Sequence, residues 1–185
     1  MKLYDILTSS FSHIALSGHG AKTYLIPEIP RKTLVRAWRA FCPHEKQENV
    51  LALIDTSFFK NGKEGFLFTK DALYIKEPMR RVHKFRYDEI CAIIYFQALS
   101  TYTGKSSVSM EIDTRKVDFK VNEQLIKNIN SNALNEMLQE IVAIYRPDER
   151  KEIQKELKDS ENQIAHPEHF KPHKFKNGDP QIYNK

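Results

Sequence analysis

The chain has 185 residues, a net charge of +5, an apolar fraction of 41% and an aromatic fraction of 11%. This length fits one domain with extensions, and the apolar content is enough for a hydrophobic core, which excludes a wholly disordered protein. From Pro147 onward eight Lys and Arg residues balance eight Asp and Glu residues, so the positive excess belongs to the first 146 residues. So mild an excess argues against a dedicated nucleic-acid binder, which carries dense basic tracts.

The cysteine content and the N-terminus indicate a cytoplasmic protein. Cys42 and Cys91 are far apart and form no CxxC motif, which favours two free thiols, with a single disulfide between them as the alternative. The N-terminal apolar stretch is interrupted by polar residues and is not typical of a signal peptide. Apolar runs reach only about seven residues, against the ~20 that a membrane-spanning helix needs.

Apolar residues at helical spacing predict an amphipathic helix within residues 2–16, followed by a second helix that begins near Pro30 and ends before Pro43. The segment between them, 24–30, contains two prolines and is expected to be extended or turn-like. The apolar positions are Leu3, Leu7, Phe11 and Ile14 in the first helix, and Leu34, Ala37, Trp38 and Phe41 in the second.

From Val50 the hydrophobic period changes from 3.6 to 2, which predicts strands. Short links between successive strands indicate antiparallel pairing. The pattern predicts seven strands, at 50–54, 66–69, 72–75, 82–87, 90–96, 107–112 and 116–121. The first of them is uniformly apolar, as is typical of a strand buried on both faces.

A third helix is predicted after the strands, with its N-cap among Asn130, Ser131 and Asn132 and its end at Pro147. Its apolar stripe consists of Leu134, Met137, Leu138, Ile141, Val142 and Tyr145. Beyond it, 147–164 is predicted to form a charged helix and 165–185 a polar tail. We expect the tail to be pinned to the domain or to a second copy by its only large apolar side chains, with an undocked tail as the alternative; these side chains are Phe170, Phe175, Ile182 and Tyr183.

The segments VLALIDTSFFKNGKEGFLFTKDALYIKE and FRYDEICAI, preceded by IPRKTLVRAW, resemble bacterial pleckstrin-homology-like (PH-like) domains over about residues 26–146. Ala72 departs from the pattern, which has a glycine at that hairpin. The resemblance implies an α+β fold, with a seven-stranded antiparallel barrel or sheet closed by a C-terminal helix, and residues 1–25 as an N-terminal helical extension. It also implies a recognition module rather than an enzyme, since most bacterial PH-like domains are non-catalytic and they share no universal ligand.

No pattern for catalysis, cofactor binding or metal binding stands out. There is no GxSxG motif, Cys91 lies inside an apolar strand, and NGKEG lacks the spacing of a phosphate-binding loop. Four polar residues near strand ends are better explained as turn caps than as a site: Asp55, Thr56, Glu64 and Thr69. The histidines of the tail, His166, His169 and His173, suggest a metal site by spacing alone, but the intervening prolines favour a solvated segment.

Three loops of the predicted sheet carry an excess of positive charge, with six cations against three acids. Alternate hairpins of an antiparallel barrel share an end, so we expect these loops to form one basic mouth that attracts anions. Its cations are Lys60, Lys63, Arg80, Arg81, Arg115 and Lys116. Ordinary solvated loops are the alternative interpretation. Phe58 and Phe59, beside the first loop, are expected to be core residues, with a membrane-insertion wedge as the alternative.

These observations predict a non-enzymatic, protein-binding module of the adaptor, regulator or toxin-immunity type. The alternative function is peripheral binding to anionic lipid or to a phosphate ligand through the basic loops. Nucleic acid is not expected as a partner, and no cofactor is expected. The sequence leaves the oligomeric state open.

Overall fold

A computed structural model describes residues 2–16, 20–99 and 106–146. These residues form four α-helices: α1 (Leu3–Ser10), α2 (Arg31–Phe41), α3 (Glu123–Ile126) and α4 (Ser131–Tyr145). They also form eight strands: β1 (Lys22–Leu25), β2 (Val50–Asp55), β3 (Gly65–Thr69), β4 (Ala72–Lys76), β5 (Val82–Arg86), β6 (Ile90–Leu99), β7 (Ser106–Thr114) and β8 (Asp118–Val121). The predicted charged helix, the polar tail with its apolar anchors and the tail histidines lie outside the described residues.

The eight strands form two antiparallel sheets. β1 to β5 make a five-stranded sheet in sequence order, and β6 to β8 make a three-stranded sheet. All seven predicted strands are present, as β2 to β8. β1 is additional: the prolines that follow it predicted only an extended or turn-like segment, but Tyr24 pairs with Leu53 of β2.

The expected α+β class with antiparallel strands is therefore confirmed, but the strands are not closed into one seven-stranded barrel. Within the described residues no ladder of hydrogen bonds joins the two sheets. The chain passes from β5 to β6 through a short 3-10 turn, Tyr87–Glu89. Side chains bridge the sheets instead, since the ring of Phe119 on β8 lies 4.4 Å from that of His83 and 5.2 Å from that of Phe85 on β5, measured between centroids.

The central strands β2 and β3 are buried along their whole length, because both faces of the five-stranded sheet are covered. One face packs on α1, α4 and the three-stranded sheet through one set of side chains, which includes Ile54, Phe66, Phe68, Leu73 and Ile75. The opposite face packs on α2 through Leu53, Leu67 and Tyr74. Successive strand residues point to opposite faces, so a strand with cover on both sides is apolar at every position.

The helices α1, α2 and α4 lie where their sequence patterns predict, whereas α3 was not predicted. Asn130 is the N-cap of α4, and its side chain accepts a hydrogen bond from the amide of Ala133 at 3.1 Å. The α1 segment runs beside the start of α4, where Asn130 N donates to Ile14 O at 2.8 Å. α2 turns Ala37 and Phe41 toward the sheet, and both side chains are buried.

A truncation in the core tests this arrangement. Phe68 is fully buried, and its ring meets that of Phe11 edge-to-face at 5.6 Å between centroids. We expect Phe68→Ala to lower the free energy of unfolding by about 3–5 kcal/mol, because it removes buried apolar surface and leaves a cavity. Denaturant unfolding measures the change. The matched control, Val117→Ala, alters a side chain that is 61% exposed and should change stability by less than about 0.5 kcal/mol.

Candidate functional site

Two of the three basic loops lie side by side at one end of the five-stranded sheet. The β2–β3 loop covers residues 56–64, and the β4–β5 loop covers 77–81. Gly65, which follows the first loop, pairs with Lys76, which precedes the second. Paired residues of neighbouring strands are about 5 Å apart, so the two loops leave the sheet at adjacent positions.

A buried carboxylate shapes the β2–β3 loop. The Asp55 side chain is fully buried, and its Oδ1 accepts hydrogen bonds from Ser57 N at 3.0 Å and Ser57 Oγ at 2.5 Å. Its Oδ2 accepts from Gly62 N at 2.9 Å, across the loop. Burying a carboxylate costs free energy unless its oxygens are hydrogen-bonded, and these three bonds meet that need. Asp55 is therefore a loop cap, in agreement with the sequence interpretation.

Two glycines allow the loop to close against its neighbours. Gly65 has φ +121°, and a Cβ at this position would collide with the carbonyl oxygen of Ile54. Gly62 has φ +75°, and a Cβ there would lie 3.1 Å from Thr33 Cγ2 and 3.6 Å from Ala37 Cβ on α2. Positive φ is readily adopted only by glycine. The loop is thus held between Asp55 and the surface of α2.

The β4–β5 loop is also organised by a buried carboxylate. Glu77 is only 1% exposed, and its Oε1 accepts a hydrogen bond from Asn122 N at 3.0 Å, just after β8. Its Oε2 lies 3.1 Å from Arg80 Nη1, an ion-pair contact outside hydrogen-bond geometry. The amide of Arg80 donates to Glu77 O at 3.2 Å, which closes the turn.

The tips of these loops expose three large apolar side chains. Phe58 is 86% exposed, Phe59 is 80% exposed and Met79 is fully exposed. The two phenyl rings pack edge-to-face, with 5.0 Å between centroids. We call the surface formed by Phe58, Phe59, Lys63, Met79, Arg80 and Arg81 the loop-tip surface.

The same two tips hold unusual backbone conformations. Among the described residues, Lys60 at φ +50° and Met79 at φ +56° are the non-glycine residues with positive φ. This conformation costs a non-glycine residue free energy, and it persists only where the surrounding structure imposes it. Residues held in this way cluster at functional sites, so their position in both loops marks the loop-tip surface as a candidate site.

The predicted cations of these two loops have different roles. Lys60 is partly buried, and its Nζ donates to Ser57 O at 2.8 Å, so this charge helps to close its own loop. Lys63, Arg80 and Arg81 are exposed. Within the described part of the chain, neither Lys63 nor Arg81 takes part in an ion pair.

The structure does not bring Arg115 and Lys116 to this end. Lys116 Nζ pairs with Glu89 Oε1 at 3.2 Å, and Glu89 follows β5 at the end where Arg86 pairs with Ala72. Ala72 is the first residue of β4, whereas the β4–β5 loop follows the last, and a five-residue strand spans roughly 13 Å. The predicted single basic mouth is thus divided between opposite ends. The chain runs through three strands, β5 to β7, between the β4–β5 and β7–β8 loops, and an odd number of antiparallel strands places two loops at opposite ends.

Two other site residues differ from the sequence interpretation. The expectation that Phe58 and Phe59 are core residues is wrong, since both are exposed. They come after β2 has ended at Asp55, so the alternation that fixes burial no longer applies to them. Met79 was not singled out by sequence reasoning. Its only signal is an apolar residue between Pro78 and two arginines in a short loop.

A second polar cluster lies on the α2 side of the five-stranded sheet. Glu45 Oε1 accepts hydrogen bonds from the Tyr74 hydroxyl and from Lys84 Nζ, the latter at 2.8 Å. Burial, followed by the hydrogen bond to Glu45, raises the pKa of Tyr74 to about 12. Burial also raises the pKa of the neighbouring Cys42 thiol to about 11. A thiol held protonated is a poor nucleophile, so this cluster fits a structural link rather than a catalytic site.

Comparison with protein-family models, curated proteins and solved structures finds no match to this chain. Within the described ranges, no helix combines the length and apolar character that crossing a membrane requires. Nor do three His, Cys, Asp or Glu side chains gather in that part of the chain where they would share a metal ion.

Removal of the Asp55 carboxylate tests its role as the loop cap. We expect Asp55→Ala to lower the free energy of unfolding by about 3 kcal/mol, because the amides of Ser57 and Gly62 lose their acceptor in a buried setting. Amide hydrogen exchange should accelerate at both residues. Glu28→Ala, which removes an exposed carboxylate, is the control and should leave both quantities unchanged; equal behaviour of the two variants would contradict the assignment.

The raised pKa of Tyr74 predicts a loss of stability at alkaline pH. The folded state holds the neutral phenol to about pH 12, whereas the unfolded chain releases its proton near pH 10. This contribution is therefore complete below about pH 10 and declines as the pH rises toward 12. Tyr74→Phe should make the decline shallower by up to about 1.4 kcal/mol per pH unit in this window. Denaturant unfolding at several pH values measures the free energy of unfolding. Below pH 9 this free energy should depend on pH in the same way in both proteins.

Proposed function

We propose that this chain is a non-enzymatic, protein-binding module of PH-like organisation. The order of elements supports the proposal, since the strands β2 to β8, which belong to two antiparallel sheets, are followed by the short helix α3 and the amphipathic helix α4. This is the order that the sequence resemblance implies, with β1 and α1 added in front. The cluster of Glu45, Tyr74 and Lys84 links α2 to the sheet, and the buried carboxylates Asp55 and Glu77 are occupied in shaping their loops.

The observation that carries the binding function is the exposure of Phe58, Phe59 and Met79 together on the loop-tip surface. Aromatic residues, Met and Arg are enriched at protein–protein interfaces and dominate binding free energy there. Exposing three such side chains on a protein surface is unfavourable in water, so a partner that covers them gains their burial.

The loops that carry these side chains are already ordered. The hydrogen bonds of Asp55, the contact of Gly62 with α2 and the tie between Glu77 and Asn122 fix both loops in the free protein. A surface that is ordered before binding loses less conformational entropy when a partner docks. We therefore place the docking face of an adaptor, regulator or toxin-immunity protein at the loop-tip surface.

A second candidate function is peripheral binding to an anionic lipid surface or to a phosphate ligand. It is favoured by the exposed charges of Lys63, Arg80 and Arg81 beside protruding apolar side chains, while Glu77 in the same loop is buried. Basic residues near an anionic surface contribute about 1 kcal/mol each, and apolar side chains at the tip add to this when they enter the interface.

The double substitution Phe58→Ser/Phe59→Ser tests the docking face. Both side chains are exposed, so stability should change by less than about 0.5 kcal/mol, while partner affinity should fall at least about 100-fold through the loss of two anchoring side chains. The wild-type chain and the variant are each immobilised and exposed to lysate of the source cell, and affinity is then measured for the purified partner. Val117→Ser, an exposed apolar change at the opposite end, is the matched control and should retain the partner.

Flotation with vesicles separates the two functions. Binding to vesicles that contain anionic lipid would favour the lipid function. This binding should be lost with neutral vesicles, at high salt and in the variant Arg80→Gln/Arg81→Gln. Capture of one protein by the wild type and by Val117→Ser, with loss in the double serine variant, would support the protein-binding function. A double serine variant that binds every partner as the wild type does would refute the loop-tip surface as the docking face.

A further inference from the structure

The three-stranded sheet has an edge that lacks the usual protection. Among the described residues β6 pairs with β7 alone, and it is ten residues long. Natural edge strands are protected from pairing with another chain by charged side chains, prolines or short length. The β6 sequence ICAIIYFQAL contains neither a charged residue nor a proline.

The outward row of β6 is apolar. Ile94 is 52% exposed and Phe96 is 64% exposed, with Ala92 and Ala98 in the same row. Their partners on β7 are polar, since Ile94 lies opposite Glu111 and Phe96 opposite Ser109. The apolar row therefore runs along the edge itself, where an added strand would cover it.

Helix α4 occupies only the first half of this edge. Gln139 Nε2 donates to Ile93 O at 2.6 Å, and Arg146 Nη1 lies 3.5 Å from Ile90 O. The carbonyl of Ile93 thus points away from β7, and in an antiparallel ladder residues two apart share this direction. Within the described residues no hydrogen bond is made to the backbone of Tyr95 or Gln97 on that side.

We propose that the open half of β6 pairs antiparallel with the same segment of a second copy of this chain, so that two three-stranded sheets become one six-stranded sheet. Because β6 has no charged residue, two copies of it can pair without bringing like charges together. Antiparallel pairing of identical strands also creates a two-fold axis and occupies the β6 edge of both copies, so a third copy cannot add at this strand.

The acidic residues of the sheet do not oppose this pairing. Glu111 lies one strand in from the edge, so the two copies of β7 would be three strand spacings apart, or about 14 Å. This exceeds the Debye length of about 8 Å at physiological ionic strength, and the repulsion between the two acidic rows is largely screened. If Gln97 lies on the two-fold axis, Phe96 of each copy lies opposite Ala98 of the other copy and covers it.

The proposal is tested by sedimentation of the full-length chain between about 1 μM and about 500 μM, the range of weak to moderate dimers. We expect a concentration-dependent dimer. Phe96→Lys should weaken it at least 30-fold, because it removes apolar cover and places two cations near the axis. Ile94→Lys is the second variant. Val117→Lys is the control that should dimerise as the wild type does, because Val117 is exposed in the β7–β8 loop, at the far end of the sheet from residues 95–99.

Three outcomes would overturn the proposal. The first is a wild-type chain that stays monomeric over the whole concentration range. The β6 edge would then be a binding surface for a different protein. The second is a dimer that persists in both lysine variants of β6. The third is a dimer lost in Phe58→Ser/Phe59→Ser, which would place the contact at the loop-tip surface. Cooperative thermal unfolding shows that each variant is folded, and slower amide exchange at 95–99 in the dimer supports the assigned strand.

Discussion

The structure depends on burying both faces of the five-stranded sheet. Leu53 and Leu67 face α2, while Ile54 and Phe66, next to them in sequence, face α1, α4 and the second sheet. Since neighbouring residues of a strand point in opposite directions, cover on one face alone would leave half of these apolar side chains in water. The helix α2 and the layer made of α1, α4 and the three-stranded sheet are therefore both required.

This burial also explains how the candidate site is built. A strand buried on both faces ends inside the protein, so polar groups at its end need partners there. Asp55 ends β2 in such a position and obtains its partners from the β2–β3 loop, whose conformation it fixes. Glu77 has the same relation to the β4–β5 loop and to Asn122. The exposed apolar tips are thus supported by groups in the core.

The two proposed contact surfaces differ in chemistry and in the element that carries them. The loop-tip surface is apolar and cationic, and it protrudes from the end of one sheet. The edge of β6 is uncharged and offers backbone groups of the other sheet. The described residues form no hydrogen-bonded ladder between the sheets, which meet through side chains such as Phe119 and Glu77, so each surface belongs to a different sheet.

The sequence by itself determined most of the helices and strands, though not β1 or α3. Period-2 patterns located the seven strands β2 to β8, and period-3.6 stripes located α1, α2 and α4, because local burial periodicity follows directly from backbone geometry. It also identified the buried face of α4: of the predicted stripe, Leu134, Met137, Leu138, Ile141 and Val142 are buried, and Tyr145 is partly buried. The β1 strand was missed, since its pairing with β2 is a long-range contact that four residues beside two prolines do not encode.

The separation of Lys116 from Arg81 follows from the alternation of antiparallel strands, because three strands lie between their loops. Only the tertiary structure decided that the strands divide into two sheets. It also decided the exposure of Phe58 and Phe59, which follow the end of β2. Outside a strand or helix no local period relates sequence to burial, and the position of a side chain depends on distant groups, here Asp55 and the surface of α2.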